Sequence, residues 1–243
     1  MKFLLIGDGQ MGQLVEQELS ALHTVVTLGQ INAENLKPYN PESFDAIIDF
    51  SHPDNLAGIC EFVKNHPLPI VIATTGYSEE QINEIKQLST RMPVLFSANY
   101  SLGVILMNRV AKEIANVLAD QFDIEVIEKH HHRKIDAPSG TAKMLVDSLN
   151  ENLNYNIIHG REGEAVRTKK EIGVHTIRGG SIVGEHEVLF AGADEILSIK
   201  HEALSKTVFA KGAIQGVNWL MNQGNNLYDM EDILFKKNKQ KSS

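Results

Sequence analysis

The densest run of chemically capable side chains is Glu128-Lys129-His130-His131-His132-Arg133-Lys134, followed by Ile135-Asp136-Ala137-Pro138-Ser139-Gly140-Thr141-Ala142. Every position from His130 to Lys134 is a proton donor or a cation. The chain then turns at Ala137-Pro138 and opens a helix. Ser139 stands as its N-cap, and Ala142, Leu145, Val146 and Leu149 recur at helical spacing on one apolar face. First-turn amides have no carbonyl of their own helix to bond and carry a partial positive charge. The N–H groups of Gly140 and Thr141 can therefore take a carboxylate or phosphate. The run spells a small-anion site with an acid/base group beside it. The same residues also fit a merely solvated basic patch. A metal site is disfavoured: adjacent side chains diverge, H-E-x-x-H is absent, and Cys60 is the one cysteine.

A second signal stands at the start. Phe3 to Ile6 is a buried strand running into Gly7-Asp8-Gly9-Gln10-Met11-Gly12, then a helix with Leu14, Val15, Leu19 and Leu22 inward. This is G-x-G-x-x-G in strand–turn–helix context, the dinucleotide fingerprint. Gly7 permits the turn, Gly9 lets a pyrophosphate approach, and Gly12 lets helix and strand close up. The second strand, Val25 to Leu28, ends without the acid that bonds an NAD ribose and without an arginine, although Lys37 is not far. The absent acid removes a repulsion against a 2′-phosphate, so the choice between NADH and NADPH stays open, leaning slightly to tolerance of both. Strands at Ala46–Phe50, Pro69–Ala73 and Val94–Phe96 follow. A helix from about Pro53 carries Leu56, Ile59, Cys60 and Val63, and another is capped by Ser78 and Gln81. Ala73-Thr74-Thr75-Gly76 and Ser97-Ala98-Asn99-Tyr100 stand at strand carboxyl ends, where open parallel sheets place ligands. Behind the fingerprint, Ala73, Thr74, Thr75, Ser97, Ala98, Asn99 and Tyr100 become cofactor contacts with Gly7, Asp8, Gly9, Gln10, Met11 and Gly12.

The pattern changes near residue 101. A helix over Leu102–Leu118, apolar on most faces, precedes a strand from Phe122 to Ile127 that leads to His130. Strands at Glu171–Ile177, Ile182–Phe190 and Glu195–Lys200, separated by hairpin signals at Arg178-Gly179-Gly180 and Gly192-Ala193-Asp194, predict a mostly antiparallel sheet. The polar stretch 160–170 is expected to be a mobile loop able to close over a site. A helix with Thr207, Ala210, Ile214, Val217 and Leu220 returns the chain. The fold class is α/β: a Rossmann-like parallel-sheet nucleotide-binding domain (1–100 and 211–243) and an α+β substrate domain (101–210). Lys236 to Ser243 has the composition of a frayed end.

Composition narrows the function classes. With 243 residues and 42% apolar content there is material for one large or two small cores. A net charge of −8 disfavours nucleic acid. No apolar run reaches spanning length, so no membrane partner is expected, and the lone cysteine suits a reducing, cytoplasmic setting.

Taken together, the glycine loop, Ala73–Gly76, Ser97–Tyr100, the 128–142 run, Arg178-Gly179-Gly180-Ser181-Ile182-Val183-Gly184-Glu185-His186 and Leu227-Tyr228-Asp229-Met230 resemble the 4-hydroxy-tetrahydrodipicolinate (dihydrodipicolinate) reductases of the diaminopimelate route to lysine. The likeness covers essentially the whole chain and is most specific over Asp136–Ala142. It implies NADH or NADPH in the first domain, and a cyclic dicarboxylate in the second, which would also form the core of a homotetramer. It implies His130 as acid/base, Lys134 as proton donor, His131 as a substrate contact, and Gly140 and Thr141 as the carboxylate grip, with no metal. Many members read Arg-His between the histidine pair and the lysine; this chain reads His132-Arg133. Two other readings are a dehydrogenase of the same plan acting on another amino or hydroxy acid, and a non-catalytic dinucleotide sensor. The first lacks a reason for two anion grips beside an acid, and the second for a proton-transfer cluster.

Overall fold

The computed structural model describes residues 1–30 and 33–235, so the expected frayed end at 236–243 lies outside the described residues. The chain divides into two compact units, Met1–Leu102 with the stretch from Lys206, and Gly103–Ser205. No helix among the described residues is long and apolar enough to cross a membrane.

The first unit is built by alternation of strands and helices. Its elements are β1 (Lys2–Ile6), α1 (Gln10–Ser20), β2 (Thr24–Leu28), α2 (Ala33–Leu36), β3 (Ala46–Asp49), α3 (Leu56–Phe62), β4 (Ile70–Ile72), α4 (Glu79–Leu88) and β5 (Pro93–Phe96). The strands are continuous apolar runs because both faces of the sheet are covered. The sheet is parallel throughout, in the order β2-β1-β3-β4-β5. The order reverses direction at β1 and β3, so a crevice opens there at the strands' carboxyl ends. The capping box at Ser78 and Gln81 forms as the spacing predicts. Leu22 does not join the core: α1 ends at Ser20 and Leu22 is 83% exposed in the turn beyond.

The second unit comprises α5 (Leu102–Leu118, from its second residue), β6 (Asp123–His130), α6 (Gly140–Asn150), β7 (Asn156–His159), β8 (Glu171–Arg178), β9 (Gly184–Ala191) and β10 (Ile196–Ala203). Alternate residues of β6 point inward, and Ile124 and Val126 pack with Met107, Ala111 and Ala115 of α5 and Leu145 of α6. Leu106, Val110 and Val117 of α5 remain exposed, so one side of this helix stays uncovered although its sequence is apolar on most faces. The sheet order is β10-β9-β6-β8-β7, and it is mixed. β9 runs antiparallel to β6 and β10, whereas β8 runs parallel to β6 and β7. The parallel half arises because α6 carries the chain from β6 to β7 as a crossover. Gly192-Ala193-Asp194 does join a hairpin. Gly179-Gly180 does not: β8 and β9 are not neighbours, since β6 lies between them.

The 160–170 segment is likewise a crossover, returning from β7 to the start of its parallel neighbour β8. It is tied down at both ends. Arg167 bonds Asp123 Oδ1 (2.7 Å) and Glu125 Oε1 (2.9 Å), while Arg161 and Thr168 bond Glu171. Those anchors lie at the opening ends of β6 and β8, remote from His130 at the far end of β6. From Lys206 the chain rejoins the first unit. α7 (Thr207–Leu220) packs on α1 and the sheet, β11 (Asn226–Tyr228) extends the sheet beside β5, and α8 (Met230–Phe235) follows. Neither β11 nor α8 stands out as an element in the sequence.

Candidate active site

In the second unit, Glu128 is the hub. It is fully buried on β6, two residues from His130, so both side chains emerge on the helix-covered face. Glu128 Oε2 lies 2.6 Å from His130 Nδ1, and Oε1 accepts the Ser139 N–H at 3.0 Å. Arg178, at the end of β8, donates to both oxygens at 2.8 Å. Burial alone would raise the Glu128 pKa; the bonds from Arg178, His130 and Ser139 outweigh it and hold the carboxyl below its usual range. An ionised Glu128 accepts, so His130 carries its Nδ1 proton and its acid/base atom is Nε2. Burial lowers the His130 pKa, with Lys134 and Arg178 acting in the same direction and Glu128 opposing them. Gly184 faces the imidazole: a methyl group there would sit 3.1 Å from Nε2.

The 128–142 run folds back on this hub. Ser139 caps α6 by accepting the Ala142 N–H at 3.2 Å, as its spacing predicts. Its Oγ also lies 3.0 Å from His186 Nε2, and the His186 ring meets that of His130 edge-on at 5.2 Å. Burial, then the neighbouring His130, lowers the His186 pKa to about 4, so His186 is neutral near pH 7. Gly140 and Thr141 form the first turn of α6, beside Glu128 and His130 through the Ser139 bonds. Lys134 Nζ bonds Asp136 Oδ1 at 2.7 Å. His131 is half-buried next to His130, and His132 and Arg133 are exposed. The peptide Ala137–Pro138 is cis. Among the described residues no group of three or more His, Cys, Asp or Glu is arranged to hold a metal.

In the first unit a cleft of about 540 Å³ opens over the carboxyl ends of β1, β2 and β3. It is lined by Gly7, Asp8 and Gly9 on one side and by Phe50, Ser51 and His52 on the other. α1 begins at Gln10 with Gly9 as N-cap and no side-chain cap bond, and Gly9 has open space where a Cβ would stand. A Cβ at Gly12 would meet the Gly7 carbonyl, its carbon only 2.7 Å away, so Gly12 is required for helix and loop to touch. An open cradle over an uncapped helix N-terminus fits a pyrophosphate. Lys206 bonds Gln10 Oε1 at 2.6 Å and brings a cation to this loop.

The other expected cofactor residues divide in two. Thr75 is exposed at the end of β4, and Ala73 is half-buried. Thr74, Ser97, Asn99 and Tyr100 have their polar groups engaged in the scaffold. Thr74 Oγ1 accepts the Ser51 N–H (2.8 Å), and Ser97 Oγ donates to Asn99 O. The Tyr100 hydroxyl lies between Ile72 O (2.8 Å) and Leu95 O (3.1 Å), tying β4 to β5. Asn99 Oδ1 accepts the Ser101 N–H. Ala98 is exposed, and Met11 half-buried on α1.

Sequence reasoning missed Arg178, His186 and Gly184 as site residues, and Lys206, Ser51 and His52 in the first unit. The i, i+2 spacing of Glu128 and His130 was a usable signal. The register that sets Arg178 opposite His130 and His186 opposite Glu128 was not.

Family models described as dihydrodipicolinate reductase, N-terminus and C-terminus, match residues 1–100 and 103–234. The chain is 42% identical to a 4-hydroxy-tetrahydrodipicolinate reductase of Clostridium novyi, with 98% of this chain and 99% of the relative covered. It is 40% identical to that of Brachyspira hyodysenteriae, over 96% of this chain and all of the relative. A dipicolinate-bound dihydrodipicolinate reductase from Paenisporosarcina sp. TG-14 shares the fold, with a TM-score of 0.73 and 22% identity over 94% of this chain and 97% of that one. The two family models cover nearly all of the described residues and the relatives match nearly its full length, so the chain belongs to the dihydrodipicolinate reductase family of oxidoreductases.

Proposed function

We propose that the protein reduces 4-hydroxy-tetrahydrodipicolinate to tetrahydrodipicolinate with NADH or NADPH, on the diaminopimelate route to lysine. The observation that carries this reading is the convergence of His130, Arg178 and the N-cap of α6 on the buried Glu128, with the charge of Lys134 acting on His130. The bound nicotinamide supplies a hydride to a ring carbon. The leaving hydroxyl then needs a proton, and His130 in its imidazolium form gives the one on Nε2, while Nδ1–H stays committed to Glu128 and the ring returns to the neutral state. Lys134 pairs with a substrate carboxylate in place of Asp136 and serves as a second proton donor. Gly140 and Thr141 hold the other carboxylate at the positive end of α6, and His131 borders the ring. Gly7, Asp8, Gly9, Gln10, Met11 and Gly12 hold the dinucleotide, with Lys206 beside its phosphates. Ala73, Thr74, Thr75, Ser97, Ala98, Asn99 and Tyr100 shape the wall at the other strand ends.

Two further features go with this reading. The outer face of the second sheet carries Ile177 at 45% exposure, and a homotetramer built on that face would cover it. The free Cys60 suits the cytoplasm, where reduced nicotinamide is generated. The test is to follow NADH and NADPH oxidation with freshly generated cyclic substrate. His130→Gln should lose about 10²-fold in kcat while dinucleotide affinity, measured by titration, stays within twofold. No turnover in the parent protein, or an unchanged kcat in the variant, overturns the reading.

A further inference from the structure

The second strand ends in Thr27-Leu28-Gly29-Gln30, with no acid to meet an adenosine ribose. The folded chain brings one from elsewhere. The Gly7 N–H donates to Leu28 O at 2.7 Å, which clips the glycine loop to the end of β2. Asp8 then lies against Gly29: a Cβ built on Gly29 would stand 2.7 Å from the Asp8 carboxyl carbon. A Cβ at 29 would push that carboxylate aside. Doubly wound folds hold the ribose 2′-hydroxyl with an acid at this strand end. We propose that Asp8, reaching across from the glycine loop, is that acid, and that it makes the cleft selective for NADH over NADPH. The proposal rests on the first unit binding a reduced dinucleotide, and deepens that reading.

The charges around the cleft argue the same way. Among the described residues lining it are two carboxylates, Asp8 and Asp54, and neither lysine nor arginine. The histidine of that lining, His52, turns its Nδ1 to Asp54, whose backbone N–H it accepts at 3.4 Å. A 2′-hydroxyl can donate to Asp8. A 2′-phosphate has no proton to give it, adds negative charge beside it, and meets no guanidinium or ammonium group among the described residues lining the cleft. Lys206 does not change this balance. It bonds Gln10 at the start of α1, the pyrophosphate end, which both dinucleotides share. The missing strand-end acid, taken alone, predicts tolerance of both cofactors; the packing of Asp8 on Gly29 reverses that expectation.

Binding without turnover tests it. The full chain is titrated calorimetrically with NADH and NADPH, and with 5′-AMP and adenosine 2′,5′-bisphosphate as probes of the ribose end. NADH should bind about 10- to 100-fold tighter than NADPH, the scale of one or two charge-assisted hydrogen bonds. Asp8→Lys should invert the ratio, and Asp8→Asn should bring it toward one mainly by improving NADPH binding. Gly29→Ala, which displaces the carboxylate without removing it, should lower the preference and controls for misfolding at position 8. Equal or tighter binding of NADPH by the parent, or an unchanged ratio in Asp8→Lys, overturns the proposal. If neither dinucleotide binds, the cofactor reading falls with it. If both bind but the cyclic substrate is not reduced, only the substrate assignment falls, and the NADH-to-NADPH ratio still decides on Asp8.

Discussion

Arg178 closes a two-point grip on Glu128, Nη1 to Oε2 and Nη2 to Oε1, each at 2.8 Å, across two parallel strands. The pair is a tautomer lock as much as a structural tie. An ionised Glu128 fixes the His130 proton on Nδ1 and leaves Nε2 for chemistry. Its charge also opposes the burial that drives the His130 pKa down. Glu128→Gln removes that opposition and leaves Arg178 without its acid. The His130 pKa should then fall further, so the protonated form is lost at lower pH. The alkaline limb of the kcat/KM–pH profile should move acidward, with activity at pH 7 down by at least about tenfold. A limb that stays put in a folded Glu128→Gln variant would show that His130 is not the titrating acid.

His186 sets a different pH dependence, that of stability. Its pKa is about 4 in the folded protein against an ordinary value of 6.5. Between those values the unfolded chain binds a proton that the folded chain refuses. Stability is therefore complete above pH 6.5 and is lost as pH falls toward 4. At about 1.4 kcal/mol per pH unit the loss is on the order of 3 kcal/mol. Glu128, with its lowered pKa, loses its contribution in a more acidic window. His186→Asn should flatten the melting-temperature profile between pH 6.5 and 4, as read by thermal unfolding across that range. A slope identical to that of the parent would assign the effect to other groups.

Lys134 is paired with Asp136, Nζ to Oδ1 at 2.7 Å. If it pairs with a substrate carboxylate and gives a proton, Lys134→Ala should cost about 10²-fold in kcat and raise substrate KM, with dinucleotide affinity unchanged. Steady-state kinetics with titration of NADH separates these quantities. An unaffected kcat would reduce Lys134 to an ordinary surface partner of Asp136.

How much of this was legible beforehand follows from where each signal sits. Local signals held: the glycine loop between β1 and α1, the capping box at Ser78 and Gln81, and the Ser139 cap with Ala142, Leu145, Val146 and Leu149 buried behind it. Each depends on residues within a few positions of one another. The mixed second sheet was hidden because strand direction depends on which strands become neighbours. Gly179-Gly180 has the residues of a hairpin, yet the chain uses them to pass β6. Arg178 and His186 enter the site through pairing register, and no spacing along the chain announces that. The pinning of 160–170 was hidden for the same reason, since Arg167 finds its acids more than forty positions upstream.

Gly184 provides the sharpest test of the site's geometry, because it has no polar atoms of its own beyond the backbone. It opens β9, is buried, and faces the His130 ring. An added methyl would lie 3.1 Å from Nε2 and 3.5 Å from Cδ2, so the ring or the strand must yield by a few tenths of an ångström. The ring cannot swing freely, since its Nδ1 is held by Glu128 and its face abuts His186. The methyl also covers the atom that has to meet the substrate. Gly184→Ala should therefore lower kcat by about tenfold or more and cost only about 1–3 kcal/mol of stability. The variant should bind NADH as the parent does. A kcat within twofold of the parent, in a variant of normal melting temperature, would mean that His130 delivers its proton from a side of the ring other than the one Gly184 faces.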